Sequence, residues 1–160
     1  MAGDITGDIF VDSLKSTSAL IAKVRKLEAE PTIEATLTKA LQNVSVRQEA
    51  LYLLLVLDSR FVKALIPDIV PIGLSDRYAV LVRELLGRLP RVELHATFSE
   101  LTRHWLKGVD YLEARRLAEL LLHIGLDESL NELIQFCLAQ DDLDLQELGT
   151  ELLGPQKSAV

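Results

Sequence analysis

Apolar residues return along this chain at three- and four-residue intervals, the signature of helices with one buried face. The clearest case is residues 110–125, where Leu112, Leu117, Leu120, Leu121 and Ile124 fall on one face. Asp110 and Glu113 have the spacing of a capping box, and Gly125 suits a left-handed stop. Upstream, an irregular stripe runs through Phe10, Leu14, Leu20, Ile21, Val24 and Leu27, predicting one long helix or a short and a long one over 8–27. Pro31 fits the first turn of a helix over 32–41. Ser45 and Gln48 predict a second capping box, opening a helix to Leu57.

Asp58 suits the cap of the next helix, which Pro67 should kink or end; Pro71–Gly73 reads as a break. Ser75 or Asp76 then caps a helix to Leu89. Val92, Leu94, Phe98, Leu101, Trp105 and Leu106 mark another, closed by Gly108. After the 110–125 helix come one over 126–138 and a last one whose Leu145, Leu148, Leu152 and Leu153 precede a stop at Gly154–Pro155.

Leucine pairs recur in alternate helices: Leu53–Leu54, Leu85–Leu86, Leu121–Leu122 and Leu152–Leu153, separated by 32, 36 and 31 residues. Three residues before each pair stands Ala50, Val82, Ala118 or Gly149. A two-helix unit cannot bury its apolar face alone, so stacked pairs are the physical solution. An irregular bundle is the alternative.

The pattern resembles HEAT-like helical repeats over residues 31–153. The likeness rests on pair length, on Ser45, Val46 and Arg47 leading into Ala50 and Leu51, and on Glu113, Ala114, Arg115 and Arg116 leading into Leu117 and Ala118. The second pair departs from it, because Pro67 and Pro71 crowd its first helix. The resemblance implies an all-α fold of about nine helices, a right-handed stack of antiparallel helix pairs forming a HEAT-like α-α superhelix. Residues 1–30 would cap it, 31–154 would form four stacked pairs of the same domain, and 155–160 a flexible tail. Many proteins of that class are binding scaffolds, and a few resemble DNA-binding enzymes.

Charge narrows the function. There are 24 Asp and Glu against 17 Lys and Arg, a net charge of -7, which disfavours a phosphate-binding surface and so the DNA-enzyme version. No run of 18 uncharged apolar residues exists, so no membrane span is expected, nor is a signal peptide. The single cysteine, Cys137, sits among Leu133, Ile134 and Leu138 and reads as a buried inert thiol. This usage suits a cytoplasmic setting. His95, His104 and His123 form no metal-ligand spacing, and His104 pairs by spacing with Glu100. No Gly-rich phosphate loop and no nucleophile motif appear, so catalytic residues, cofactors and metals are all expected to be absent.

From Asp76 to Arg116 basic residues outnumber acidic ones, whereas residues 126–153 carry eight acids and no Lys or Arg. The acidic end is either a solvated cap or a face that steers a basic partner. These features predict a non-enzymatic protein-interaction module, a scaffold or a small inhibitor. A bacterial immunity protein that neutralises a basic toxin or nuclease is one concrete form. The candidate binding residues are Arg47, Arg83, Arg116, Glu147 and Glu151 on the outward face, with Tyr78 and Tyr111 at its rim. The partner would be another protein or a second copy in a homodimer.

Overall fold

A computed structural model describes the backbone of residues 5–156 and the side chains of residues 14–154. Ten α-helices and no strand occur among the described residues. They are α1 (Ile5–Glu28), α2 (Ile33–Gln42), α3 (Arg47–Val56), α4 (Ser59–Ala64), α5 (Ile66–Gly73), α6 (Ala79–Gly87), α7 (Arg91–Trp105), α8 (Tyr111–Ile124), α9 (Asp127–Leu138) and α10 (Leu143–Gln156).

The helix count exceeds nine because the segment after Asp58 divides at Leu65. Pro67 lacks an N–H and fits the first turn of α5. Pro71 does not break the chain, as the spacing predicted; α5 runs through it to Gly73. An interior proline costs about 3 kcal/mol. Ile66, Ile69 and Val70 are fully buried, and each such side chain returns roughly 1.5–3 kcal/mol, which outweighs that cost.

Caps follow the sequence in part. Asp58 accepts from Arg60 N, and Asp110 and Glu113 complete their box. Gly125 takes the left-handed conformation at φ 69°. The box at Ser45 and Gln48 does not form. Asn43 Oδ1 takes the Ser45 N–H in an Asx turn, so α3 begins at Arg47. Ser75 Oγ donates back to Ile72 O and thus closes α5 rather than opening α6. The last helix passes Gly154 and Pro155 to Gln156. Gly154 has no Cβ for the proline ring to meet, which relieves the usual restriction before proline.

Two rows of helices enclose the core. α3, α6, α8 and α10 touch in succession, and so do α2, α5, α7 and α9. Each row covers the other through α2 on α3, α5 on α6, α8 on α9 and α9 on α10. α3 and α6 run the same way. Arg77, just before α6, donates to Gln48 at the start of α3, while Arg88 at the end of α6 donates to Leu54 O and Leu57 O at the end of α3.

Burial corrects several side chains. Leu54, Leu85, Leu86 and Leu121 are fully buried, but Leu122 is exposed and Leu53, Leu152 and Leu153 are only half-buried. Leu112 and Val92, expected on apolar stripes, face outward. Turned through the helical repeat, each lies on the side of its helix away from the buried residues, Leu94 and Phe98 in α7 and Leu117, Ala118 and Leu121 in α8. α1 is one continuous helix, yet Leu14, Leu20 and Ile21 of its stripe are exposed and only Val24 and Leu27 are partly covered. The expected place of Phe10 in that stripe lies outside the described side chains.

Candidate functional site

The outward face of the α3–α6–α8–α10 row gathers most of the candidate residues. Glu119 on α8 is its electrostatic centre. Arg83 on α6 reaches Glu119 Oε2 at 2.6 Å, and Arg116 reaches the same oxygen at 3.2 Å. Arg116 also pairs with Asp76, ahead of α6. Arg83 and Arg116 are therefore brought together, but by a shared acid that ties α6 to α8. Tyr111, half-buried at the start of α8, accepts from Arg115 at 2.8 Å. That bond, with the charges of Glu151 on α10 and of Glu119, raises the Arg115 guanidinium above its ordinary value.

Burial of Glu119 pulls its pKa up, yet hydrogen bonds from Arg83 and Arg116 outweigh burial and hold the carboxyl below its ordinary value. A depressed folded-state pKa contributes stability above the unfolded value, lost as pH falls through the folded one. Glu119→Gln should therefore cost at most about 1 kcal/mol near neutral pH, as for a partly exposed pair. The difference from wild type should vanish below the ordinary carboxylate range. Urea unfolding at neutral and strongly acidic pH checks this; a gap that persists in acid would remove the ion pair as its cause.

Arg47 takes no part in this network. Its guanidinium donates to Leu41 O at 2.6 Å and to Gln42 O at 3.4 Å, closing the end of α2. Arg60 donates to Glu28 O at the end of α1, and Arg88 closes α3 in the same way. Each arginine satisfies carbonyls that the last turn leaves open. The sequence offers no signal for this role, because donor and acceptor meet only when helices pack.

Tyr78 does not rim an open face. It is 5% exposed, with Arg77 stacked 5.2 Å from the ring centroid and its hydroxyl buried without a hydrogen-bond partner. Residue 78 immediately precedes α6 and packs into the core. An unsatisfied buried hydroxyl is destabilising, so Tyr78→Phe should leave stability unchanged or raise it by up to about 1 kcal/mol. A loss in thermal unfolding would show that the hydroxyl has a partner in solution. Above Tyr78 lies a groove of about 400 Å³ between α3 and α6, lined also by Gln48, Tyr52, Arg77, Val80 and Glu84.

The same row carries an apolar series that periodicity did not reveal. Val46, Val80, Leu112 and Leu143 stand at the starts of α3, α6, α8 and α10, and the last three are 75%, 63% and 77% exposed. Glu147 and Glu151 on α10 are exposed as well. Other acids of the C-terminal region have local tasks. Asp142 accepts from Asp144 N and Leu145 N at the start of α10. Glu128 pairs with His95 at 3.6 Å, and Glu132 with Arg103 at 3.7 Å. The acidic partner of a histidine thus falls to His95, not to His104 with Glu100, because α9 lies beside α7. An open, shallow depression of about 610 Å³ between these helices is lined by Arg103, Leu106, Glu128, Asn131, Glu132 and Gln135.

Cys137 is fully buried, and burial pushes its thiol up, the reverse of what a reactive thiol requires. Among the described residues no group of three or more His, Cys, Asp or Glu is arranged to hold a metal ion, and no helix is long and apolar enough to cross a membrane. No family model, curated protein or solved structure matches the chain.

Proposed function

We propose that this chain is a non-enzymatic protein-binding module that receives its partner on the α3–α6–α8–α10 row. The observation that carries the reading is the exposed apolar series Val46, Val80, Leu112 and Leu143, one residue at the start of each helix of the row. Four such bare side chains, one on each helix of the row, cost solvation and offer apolar contact to a partner. The groove at Tyr52 and Val80 adds a recess beside them. The ion pairs around Glu119 hold two of the four helices in place, so the face is preorganised and little ordering is needed on binding. Glu147 and Glu151 give it an acidic end that suits a basic partner and speeds encounter. In this reading the two rows are the layers of a right-handed HEAT-like superhelix, and the setting is cytoplasmic.

The test is affinity capture from the native cell with the intact chain and two variants. Val80→Asp with Leu112→Asp should abolish capture of the partner, since both side chains are exposed and their loss leaves the core intact. Glu147→Lys with Glu151→Lys should weaken binding on the order of tenfold and flatten its salt dependence. A partner held equally well by the Val80 and Leu112 variant would place binding elsewhere on the molecule.

A further inference from the structure

Glu84 stands among arginines that are all committed elsewhere. It is exposed on α6, and no ion pair or hydrogen bond among the described residues reaches it. Arg83 beside it turns to Glu119 on α8. Arg88, one turn further on, is spent on Leu54 O and Leu57 O of α3. Arg77, two turns earlier, donates to Gln48 Oε1 at 3.2 Å and stacks on Tyr78. Two turns are roughly 10 Å along the helix axis, about one Debye length, so Arg77 leaves the Glu84 charge largely uncompensated.

Glu84 lines the groove of about 400 Å³ between α3 and α6. Gln48 meets Arg77, 29 residues on, and Leu57 meets Arg88, 31 residues on. Residues level with Tyr52 therefore fall between Val80 and Glu84, and all three line the groove. Tyr52 is 53% exposed, and its hydroxyl oxygen accepts from Gln48 Nε2 at 3.5 Å. Leu81 is half-buried between the two walls. Glu49, one turn before Tyr52, is a second exposed acid that no ion pair or hydrogen bond among the described residues reaches.

We infer that this groove seats an arginine of the protein partner. The methylene stem lies on Val80 and Leu81, the guanidinium plane on the exposed ring of Tyr52, and its N–H groups on the Glu84 carboxylate. Charge and shape select that side chain. An acidic one meets the free carboxylates of Glu84 and Glu49, and an apolar one strips water from Glu84 without replacing it. Lysine lacks the flat fork that both stacks on a ring and grips a carboxylate at two points. The assignment rests on the reading of this row as the partner-binding face and adds the chemistry by which that face selects.

The probe is the blocked tripeptide acetyl-Leu-Arg-Leu-amide, titrated into the full chain while the NMR signals of the Val80 and Leu81 methyl groups and the Tyr52 ring are followed. Those signals should shift together. The citrulline and lysine counterparts should bind about tenfold and about threefold more weakly. Glu84→Gln and, separately, Tyr52→Leu should each weaken the arginine peptide about three- to fivefold. Both side chains are exposed, so both variants should keep wild-type helix content by circular dichroism. A citrulline or lysine peptide that binds as well as the arginine peptide overturns the inference, as does unchanged binding to the Glu84 variant. Shifts confined to the α10 acids Glu147 and Glu151 overturn it, and so do groove signals that move on dilution of the protein alone, which would give the groove to a second copy. Partner capture retained by the Val80 and Leu112 variant removes the face itself. Capture lost in that variant, together with no preference for arginine in the titration, overturns the arginine seat alone.

Discussion

Phe98→Ala is expected to lower the stability of the folded chain by about 3–5 kcal/mol, the range for deleting a buried aromatic ring. Phe98 on α7 is fully buried, and its ring meets Trp105 edge to face with centroids 5.0 Å apart and planes at 69°. α7 touches both α5 and α9, so the void opens in the middle of its row rather than at an end. Little neighbouring structure is free to collapse into it, which favours the upper part of the range. Trp105 is the only tryptophan and reports the change directly. Denaturant unfolding followed by its fluorescence should give a lower midpoint and an altered native emission. Phe98→Leu keeps most of the volume and should lose less than half as much. Equal losses for the two variants would mean that shape at this site does not matter, and the packing described for α7 would be wrong.

The two close-approach glycines should give the next largest effects, and in a definite order. A Cβ on Gly73 would lie 2.6 Å from Val82 Cγ1 and 2.8 Å from Val82 Cβ, where α5 crosses α6. A Cβ on Gly149 would lie 2.9 Å from Leu138 Cγ and 3.2 Å from Cys137 Cβ, where α10 crosses α9. Val82 is buried, and a β-branched residue in a helix has essentially one χ1 rotamer, so it cannot turn aside. Leu138 is half-buried and unbranched at Cβ, so a second helical χ1 rotamer is open to it and would carry Cγ away. Gly73→Ala should therefore cost roughly 2–3 kcal/mol of overpacking and Gly149→Ala about 1 kcal/mol or less, since the helix gains alanine's propensity in return. Gly87→Ala is the control: nothing lies within 4 Å of its Cβ, so it should stabilise by about 0.5–1 kcal/mol. Thermal unfolding of the three variants side by side settles the order. A Gly149 variant less stable than the Gly73 variant would contradict the contacts at one of the two crossings.

Several local features were legible in the residues themselves. The Asp110–Glu113 box and the Asp58 cap use side chains within three positions of the backbone groups they satisfy, and the left-handed turn at Gly125 needs only a residue without a Cβ. Helical periodicity located the segments, and proline and glycine marked many of the joints between them. Gly149, the smallest of the residues that precede the leucine pairs, stands at a point of close approach to Leu138 and Cys137. Even some local signals failed where two short-range interactions competed, as when Asn43 took the Ser45 N–H before a capping box formed.

Tertiary structure decided which members of each apolar stripe are covered. A period of three and four residues identifies a face but not the neighbour that buries it. Leu53 and Leu54 stand side by side in α3, and the neighbouring helices bury the second completely and the first only in part. The same reason governs α1, where Val24 and Leu27 pack against the core while Leu14, Leu20 and Ile21 of the same stripe stay in water. Arginine roles were equally beyond a one-dimensional reading. Arg83 and Arg116 meet at Glu119, while Arg47, Arg60 and Arg88 close the ends of other helices. A guanidinium on a long flexible stem finds whatever acceptor packing brings within reach, and most of those acceptors here are carbonyls or acids some thirty residues away in the chain. The chain's own sequence thus determined that it is helical, where its helices lie and that its charge is acidic. Packing determined which apolar side chains remain in water, and those are the ones that carry the proposed contacts.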